Sequence, residues 1–227
     1  MSVKVKQFLR DDSAATIVEH AATMLTFFLI LFGVIEFSYL YYQWNAATKA
    51  VQYGARLAAV SNAVPTGFTA MTGIGGSVYA GDPMPAFDIT CFGSNATGSA
   101  VSCQGTITAG TASALQGIVF GRDHLTGLSR SVCDFAPKTT EAMRRSVGMC
   151  NFLFGNRLQA NNVQVRYQYT GLGYAGRPGG PVPTITVSLR NMQYQFIFLN
   201  GLMGLAPLNM PSFATTVTGE DLNVVGS

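Results

Sequence analysis

Residues 14–42 decide the fold, and they read AATIVEHAATMLTFFLILFGVIEFSYLYY. The sixteen residues from His20 to Ile35 carry no formal charge when His20 is neutral, but they span only roughly 24 Å of a hydrocarbon core about 30 Å thick. Counting from Ala15 gives 21 residues and roughly 31 Å, which fits. The longer span places Glu19 inside the membrane, where an acid must be protonated, paired or held at a protein contact. The shorter one leaves Glu19 solvated at the cytoplasmic boundary.

The flanks of this stretch predict its orientation. Lys4, Lys6 and Arg10 come before the apolar run, which places the N-terminus in the cytoplasm and the long C-terminal part across the membrane. A second acid, Glu36, follows the run and precedes aromatic residues typical of a membrane interface: Tyr39, Tyr41, Tyr42 and Trp44. Glu36 therefore marks the membrane boundary, either as a solvated acid or through a specific contact.

The helix predicted for the span continues beyond the membrane. Apolar residues recur every seven positions, with small residues between them: Phe37, Leu40, Trp44, Ala47, Val51, Gly54 and Ala58. The small residues allow another backbone to approach closely. Pro65 excludes a longer helix, so the pattern predicts one helix over residues 15–61, with the membrane span at about 15–35.

The composition after Asn62 predicts a loop-rich α+β domain over residues 62–227. Val163–Tyr169 and Thr184–Arg190 alternate apolar and polar residues and predict two half-buried strands. Phe213–Val217 and Phe87–Cys91 would complete a small antiparallel sheet, packed against the outer half of the long helix. Two short helices are predicted at 111–120 and 139–149.

Four cysteines, all beyond the span, predict two disulfides in an oxidising compartment. Three pairings are possible. We favour Cys91 with Cys103 and Cys133 with Cys150, because these pairs close short local loops in weakly specified regions. No Cys-x-x-Cys pair is present and His124 is the only histidine outside the membrane segment, so we predict no metal site.

Other functional classes are disfavoured by the sequence. The net charge is +3 and the basic residues are scattered, which argues against nucleic-acid binding. Residues 171–176 match a dinucleotide fingerprint, but Arg177-Pro178-Gly179-Gly180-Pro181 follows and no helix can start there to hold a phosphate, so no cofactor is expected. Asp123-His124 lacks a nucleophile motif, and no catalytic residues are predicted.

The segment 196–205, FIFLNGLMGL, is too apolar for an exposed loop and too broken by glycine for a second span. Burial against the helix of the same chain, contact with the membrane face and contact with a partner protein are all open interpretations.

The order and spacing of three motifs resemble the TadE-like family of tight-adherence pilus assembly proteins. These are ATIVE at 15–19, GVIEF at 33–37 after the apolar run, and AVQYGAR at 50–56. The resemblance implies a pseudopilin whose leader, residues 1–14, is cut by a prepilin peptidase between Ala14 and Ala15, so that Glu19 becomes the fifth residue of the mature chain. Ala14 stands where glycine is usual and His20 where an aromatic is usual. Glu19 would neutralise the new amine of Ala15 on its own or an adjacent subunit.

The function implied by the resemblance is assembly of a tight-adherence pilus through association with other pilin-like subunits, without enzymatic activity. The protein would be a single-pass inner-membrane protein with a periplasmic head, and could enter the pilus. The alternative is a membrane-anchored adhesin or binding module that does not polymerise. A tethered enzyme is disfavoured because no catalytic constellation is present.

Overall fold

A computed structural model describes residues 12–153 and 158–219, and these form two compact units. The first unit contains the chain up to Tyr42 together with Gln193–Leu208. The second contains Gln43–Met192 and the chain from Asn209 onward. Each unit has its own internal packing.

The longest element is helix α1, Asp12–Val60, which confirms the predicted long helix with slightly different ends. It contains no proline and only two glycines, so little in it opposes helix formation. Within Thr16–Val60 the helix is long and apolar enough to cross a membrane, and only 6% of its most apolar window is buried in the structure. A core helix of comparable apolarity would be mostly buried, so α1 is a candidate single membrane span.

Hydroxyl side chains within the apolar part of α1 are satisfied by the helix itself. Thr23 donates to the carbonyl of Glu19 at 2.6 Å, and Thr26 donates to that of Ala22 at 2.9 Å. Ser38 repeats the pattern with the carbonyl of Val34 at 2.7 Å. Because each hydroxyl donates to a carbonyl four residues earlier, these side chains need no water as acceptor.

The second unit contains a five-stranded antiparallel sheet. Its strands are β1 Asp88–Gly93, β2 Val101–Gly105, β3 Val163–Gln168, β4 Thr184–Leu189 and β7 Phe213–Thr218. Their order in the sheet is β2-β1-β3-β4-β7. Two short strands, β5 Gln193–Tyr194 and β6 Leu208–Asn209, lie outside this sheet. All four predicted strands are confirmed. Strict alternation in β3 and β4 gives each of these two strands one buried face.

The core of the second unit lies between this sheet and the C-terminal part of α1. The helix contributes small, fully or nearly buried residues, including Ala47, Ala50, Val51, Ala55 and Ala58, and these belong to one cluster with the inward residues of the strands. Gly54 lies close to the short 3-10 helix Met149–Phe152, since a Cβ built at Gly54 would lie 2.3 Å from Sδ of Met149. The predicted role of the small residues is confirmed: they let the helix pack tightly on the α+β head.

The described residues also contain three shorter α-helices: α2 Ala112–Phe120, α3 Glu141–Arg145 and α4 Leu199–Met203. Three 3-10 helices are Phe68–Ala70, Met149–Phe152 and Ala160–Asn162. The prediction for 111–120 is confirmed, but the one for 139–149 was too long. Helix α3 begins after Thr140, whose hydroxyl accepts from the Met143 amide, and ends before Ser146, whose hydroxyl donates to the Met143 carbonyl. Gly148 then has an extended backbone, which stops the helix.

Candidate functional site

The N-terminal part of α1 exposes apolar side chains around its whole circumference. Those with at least 40% of their surface accessible include Ile17, Leu25, Phe27, Phe28, Ile30, Leu31, Val34 and Ile35. Consecutive positions on a helix point in different directions, so this is a sleeve of apolar surface and not a single stripe. A helix that is apolar on all sides requires lipid or partner helices around it.

Glu19 lies on this sleeve with an exposed side chain. Among the residues that the structure describes, no ion pair involves its carboxylate. Ala14 and Ala15, the predicted cleavage position, lie within the helical backbone of α1, and residues 1–11 of the predicted leader lie outside the described part. Cleavage and subunit pairing therefore remain predictions.

Glu36 behaves quite differently, because only 1% of its surface is accessible. The hydroxyl of Tyr194 donates to Oε1 at 2.8 Å, and the Ile197 amide donates to the same oxygen at 2.7 Å. The Phe198 amide donates to Oε2 at 2.9 Å. Three donors converging on one carboxyl group stabilise its ionised form.

The segment held by Glu36 also packs on α1 through aromatic rings. Phe198 stacks on Phe32, with ring centroids 5.2 Å apart and an interplanar angle of 15°. Tyr194 packs against Tyr39 at 6.2 Å. Of the interpretations left open for residues 196–205, contact with the helix of the same chain is therefore observed, although Ile197 remains 55% exposed. We call residues 194–208 the strap.

The aromatic residues predicted to mark the membrane boundary differ in their surroundings. Tyr41 is 70% exposed and Tyr42 is also largely exposed. Trp44 belongs to the second unit and packs edge-on against Phe213, at 5.0 Å between ring centroids. Their position at a membrane interface stays a prediction.

The two disulfides favoured from the sequence are present. Cys91–Cys103 joins opposed residues of β1 and β2, and Cys133–Cys150 closes a loop outside the sheet. Within the described ranges no group of three or more His, Cys, Asp or Glu side chains could hold a metal ion.

Comparison with known families covers the same region as α1. Residues 14–56 match the TadE-like protein family model. No match is found among curated proteins or among solved structures. The family match confirms the resemblance inferred from ATIVE, GVIEF and AVQYGAR, since all three motifs lie within the matched residues.

The TadE-like segment and the apolar N-terminal helix fit a component associated with the tight-adherence pilus. The TadE-like family is a pilus-associated structural family and is not known for enzymatic activity. One helix that could span a membrane is consistent with a single-pass membrane protein.

Sequence reasoning missed the environment of Glu36. A solvated acid and a contact with a partner were considered, yet its carboxylate is bound by donors from a segment about 160 residues later in the same chain. Two unusual features of the sequence were the available signal: an acid directly after the apolar part of the helix, and an apolar segment without a strand partner. Nothing in the local pattern could pair them, because two of the three donors are backbone amides.

Proposed function

We propose that this protein is a membrane-inserted, pseudopilin-like component of a tight-adherence pilus machine that acts by association with other pilin-like subunits. The proposal rests on a difference in burial between the two parts of α1. Its N-terminal part is an exposed apolar sleeve bearing an exposed acid, whereas its C-terminal part is buried in the α+β head. One helix is thus available for neighbours while it carries a folded domain.

Glu19 supplies the polar element of this association. A carboxylate at membrane depth is stabilised by a cation, and Glu19 has no ion-pair partner within the described residues. Cleavage between Ala14 and Ala15 would create an amine four residues away, about 6 Å along the helix axis. The carboxylate of one subunit can then pair with the amine of its own chain or of a neighbour, where low dielectric strengthens the attraction.

The leader and the head have separate roles in this function. The leader is a substrate for a prepilin peptidase in the cytoplasmic face of the inner membrane. The positive residues before the span favour a cytoplasmic N-terminus, and this orientation supports a periplasmic head. The two disulfides support this location, because such bonds persist in oxidising compartments.

The first test is mass spectrometry of the N-terminus of protein purified from its native membrane, with and without the prepilin peptidase. The proposal expects a chain that begins at Ala15 only when the peptidase is present. An intact chain in both samples would leave a plain anchor and favour a membrane-anchored adhesin.

The second test is Glu19→Gln, which keeps the size of the side chain and removes its charge. We expect the protein to reach the membrane and surface pili to be lost. Glu141→Gln, an exposed acid paired with Arg145 on the head, is the matched control and should leave piliation unchanged. Normal piliation in Glu19→Gln would contradict the pairing mechanism.

A further inference from the structure

The strap, residues 194–208, carries a surface that the proposed assembly role does not use. From Asn191 to Gly219 the chain has no Asp, Glu, Lys, Arg or His. Within the strap, Ile197, Phe198, Leu205 and Leu208 are 37–55% exposed. An uncharged segment with this many exposed large apolar side chains is covered by something in its working environment.

The strap is continuous with the candidate membrane span. Phe198 stacks on Phe32, which lies in the predicted span, residues 15–35, about one turn before Glu36. The apolar segment from Phe196 to Leu208 is too short to cross a bilayer, and its exposure excludes a buried core helix. A segment of this length with these properties is typical of an interfacial or re-entrant element.

Three backbone amides of the strap are hydrogen-bonded within the protein, as a lipid environment requires. Backbone amides that face hydrocarbon must be hydrogen-bonded internally. The amides of Ile197 and Phe198 precede α4 and have no strand partner, and Glu36 accepts from both. The Gly204 amide, at the other end of α4, donates to the Asn200 carbonyl at 2.9 Å.

The Glu36 carboxylate also requires hydrogen-bond partners within the protein. A carboxylate at the end of a membrane span is costly unless donors replace water. Tyr194 and two strap amides supply those donors, and only 1% of the Glu36 surface remains accessible. The Glu36 carboxylate and its donors in the strap thus satisfy each other's hydrogen bonds, and none of these groups needs to face lipid unpaired.

We propose that the strap is an interfacial membrane element, embedded in the leaflet at the Ile35 end of the span and held to α1 by Glu36. Its partner is the lipid bilayer. This inference rests on the proposed membrane insertion of α1, and it adds a second lipid contact that comes from the C-terminal part of the sequence.

The protein has a single tryptophan, Trp44, which permits a direct test of depth. In a Trp44→Phe background of the full chain, tryptophan is placed at Phe198 in the strap, at Phe28 in the span, or at Tyr79 in the head. Phe28 and Tyr79 are 47% and 71% exposed, so each substitution reports on its surroundings with little effect on packing. Leu205→Trp is a second strap position that leaves the ring contact with Phe32 intact.

Each variant is reconstituted in phosphatidylcholine and phosphatidylglycerol vesicles with and without brominated acyl chains, which quench tryptophan by contact. We expect both strap tryptophans to lose fluorescence to an extent comparable to Phe28→Trp, with blue-shifted emission. The Tyr79→Trp emission should be unaffected. Circular dichroism checks that every variant keeps its helix content.

If Phe28→Trp is quenched but neither strap tryptophan is, as for Tyr79→Trp, the interfacial position of the strap is wrong while membrane insertion of α1 stands. A different outcome is that the strap tryptophans are unquenched by brominated lipid and shielded from aqueous iodide only at high protein density. That result would show that a second copy of the chain covers the strap, and it would also overturn the inference. Absence of quenching at Phe28→Trp would overturn membrane insertion, and the inference with it.

Discussion

The hydroxyl of Tyr194 donates to Oε1 of Glu36 at 2.8 Å, joining residues 158 positions apart. Together with the amides of Ile197 and Phe198, this contact fixes the strap on α1. Glu36, which follows the apolar part of α1, is therefore a polar link between the two chain segments of the first unit.

Replacing Glu36 by alanine should release the strap. Loss of the acceptor leaves the Ile197 and Phe198 amides without their partner, which lowers the free energy of local opening by about 2 kcal/mol, or roughly thirtyfold in exchange rate. Hydrogen exchange read by mass spectrometry on the full chain in nanodiscs measures this. Tyr194→Phe, which removes one donor and keeps both amides bound, should have a smaller effect.

Glu141→Ala serves as the control for this experiment, because Glu141 is an exposed acid of the second unit paired only with Arg145. It should not alter exchange in residues 194–200. Equal exchange in that segment for Glu36→Ala and the unsubstituted protein would show that the carboxylate does not hold the strap.

Gly54→Leu should destabilise the second unit. The first atom of the new side chain would lie 2.3 Å from Sδ of Met149, which is fully buried, so either the Met149 side chain or the helix must shift. Overpacking of this kind lowers the free energy of unfolding by about 1–3 kcal/mol. The urea midpoint of the full chain in detergent reports it.

Gly33→Leu is the matched control, since Gly33 is the other glycine of α1 and no heavy atom lies within 4 Å of its Cβ position. It should leave the urea midpoint unchanged. Met149→Ala should partly rescue Gly54→Leu by making room. A Gly54→Leu protein as stable as Gly33→Leu would mean that the helix does not pack as closely as Gly54 indicates.

The long helix, four of the sheet strands and the disulfides could be predicted because each has a local signature. The period of seven in α1, the strict alternation in Val163–Gln168 and the short loops between cysteines are all visible within a few turns of chain. Strand β2, Val101–Gly105, was not predicted, because it has little alternation and is recognised only by its register against β1.

The environment of Glu36 could not be predicted for a related reason. Its donors come from the strap, and the amides of Ile197 and Phe198 carry no side-chain signal. Sequence showed an acid with no evident partner and an apolar segment with no evident cover. The contact between Glu36 and this segment depends on how the intervening chain folds, and a local sequence pattern carries no information about that.

The two disulfides should contribute similar stability to the fold, but only one of them should protect a loop from proteolysis. Cys91–Cys103 links strands that are already paired by backbone hydrogen bonds, whereas Cys133–Cys150 closes its loop outside the five-stranded sheet. Each is expected to stabilise the head by about 3 kcal/mol according to loop entropy. Replacing both members of the Cys133 pair by serine should make the loop between them sensitive to proteases, while the same change at Cys91 and Cys103 lowers the urea midpoint without new cleavage there.

Peptide mapping without reduction checks this connectivity directly. A linked pair of peptides containing Cys91 and Cys133 would contradict the structure. Limited proteolysis that cuts the loop between Cys133 and Cys150 equally in both double-serine variants would show that the second disulfide has no local role.

The loop from Asp123 to Lys138 should carry an acid-sensitive part of the stability. Lys138 donates to the carboxylate of Asp134 at 2.6 Å, the Ala136 amide donates at 2.9 Å, and Arg130 also forms an ion pair with it. The hydrogen bond from Lys138 is the largest of these influences, and together they lower the pKa of Asp134 to about 2. An unfolded chain has an Asp pKa of about 3.9.

The sign of the effect follows from this difference. Folding favours the ionised form, so the stabilisation is fully present above about pH 4 and disappears as the pH falls through about 2. Asp134→Asn should therefore lower the urea midpoint of the full chain at pH 5 and have much less effect at pH 2. Glu141→Gln, which removes an exposed acid from a pair with Arg145, should change the midpoint little at either pH. A midpoint difference between Asp134→Asn and the unsubstituted protein that is the same at both pH values would show that the charge on Asp134 does not stabilise the loop.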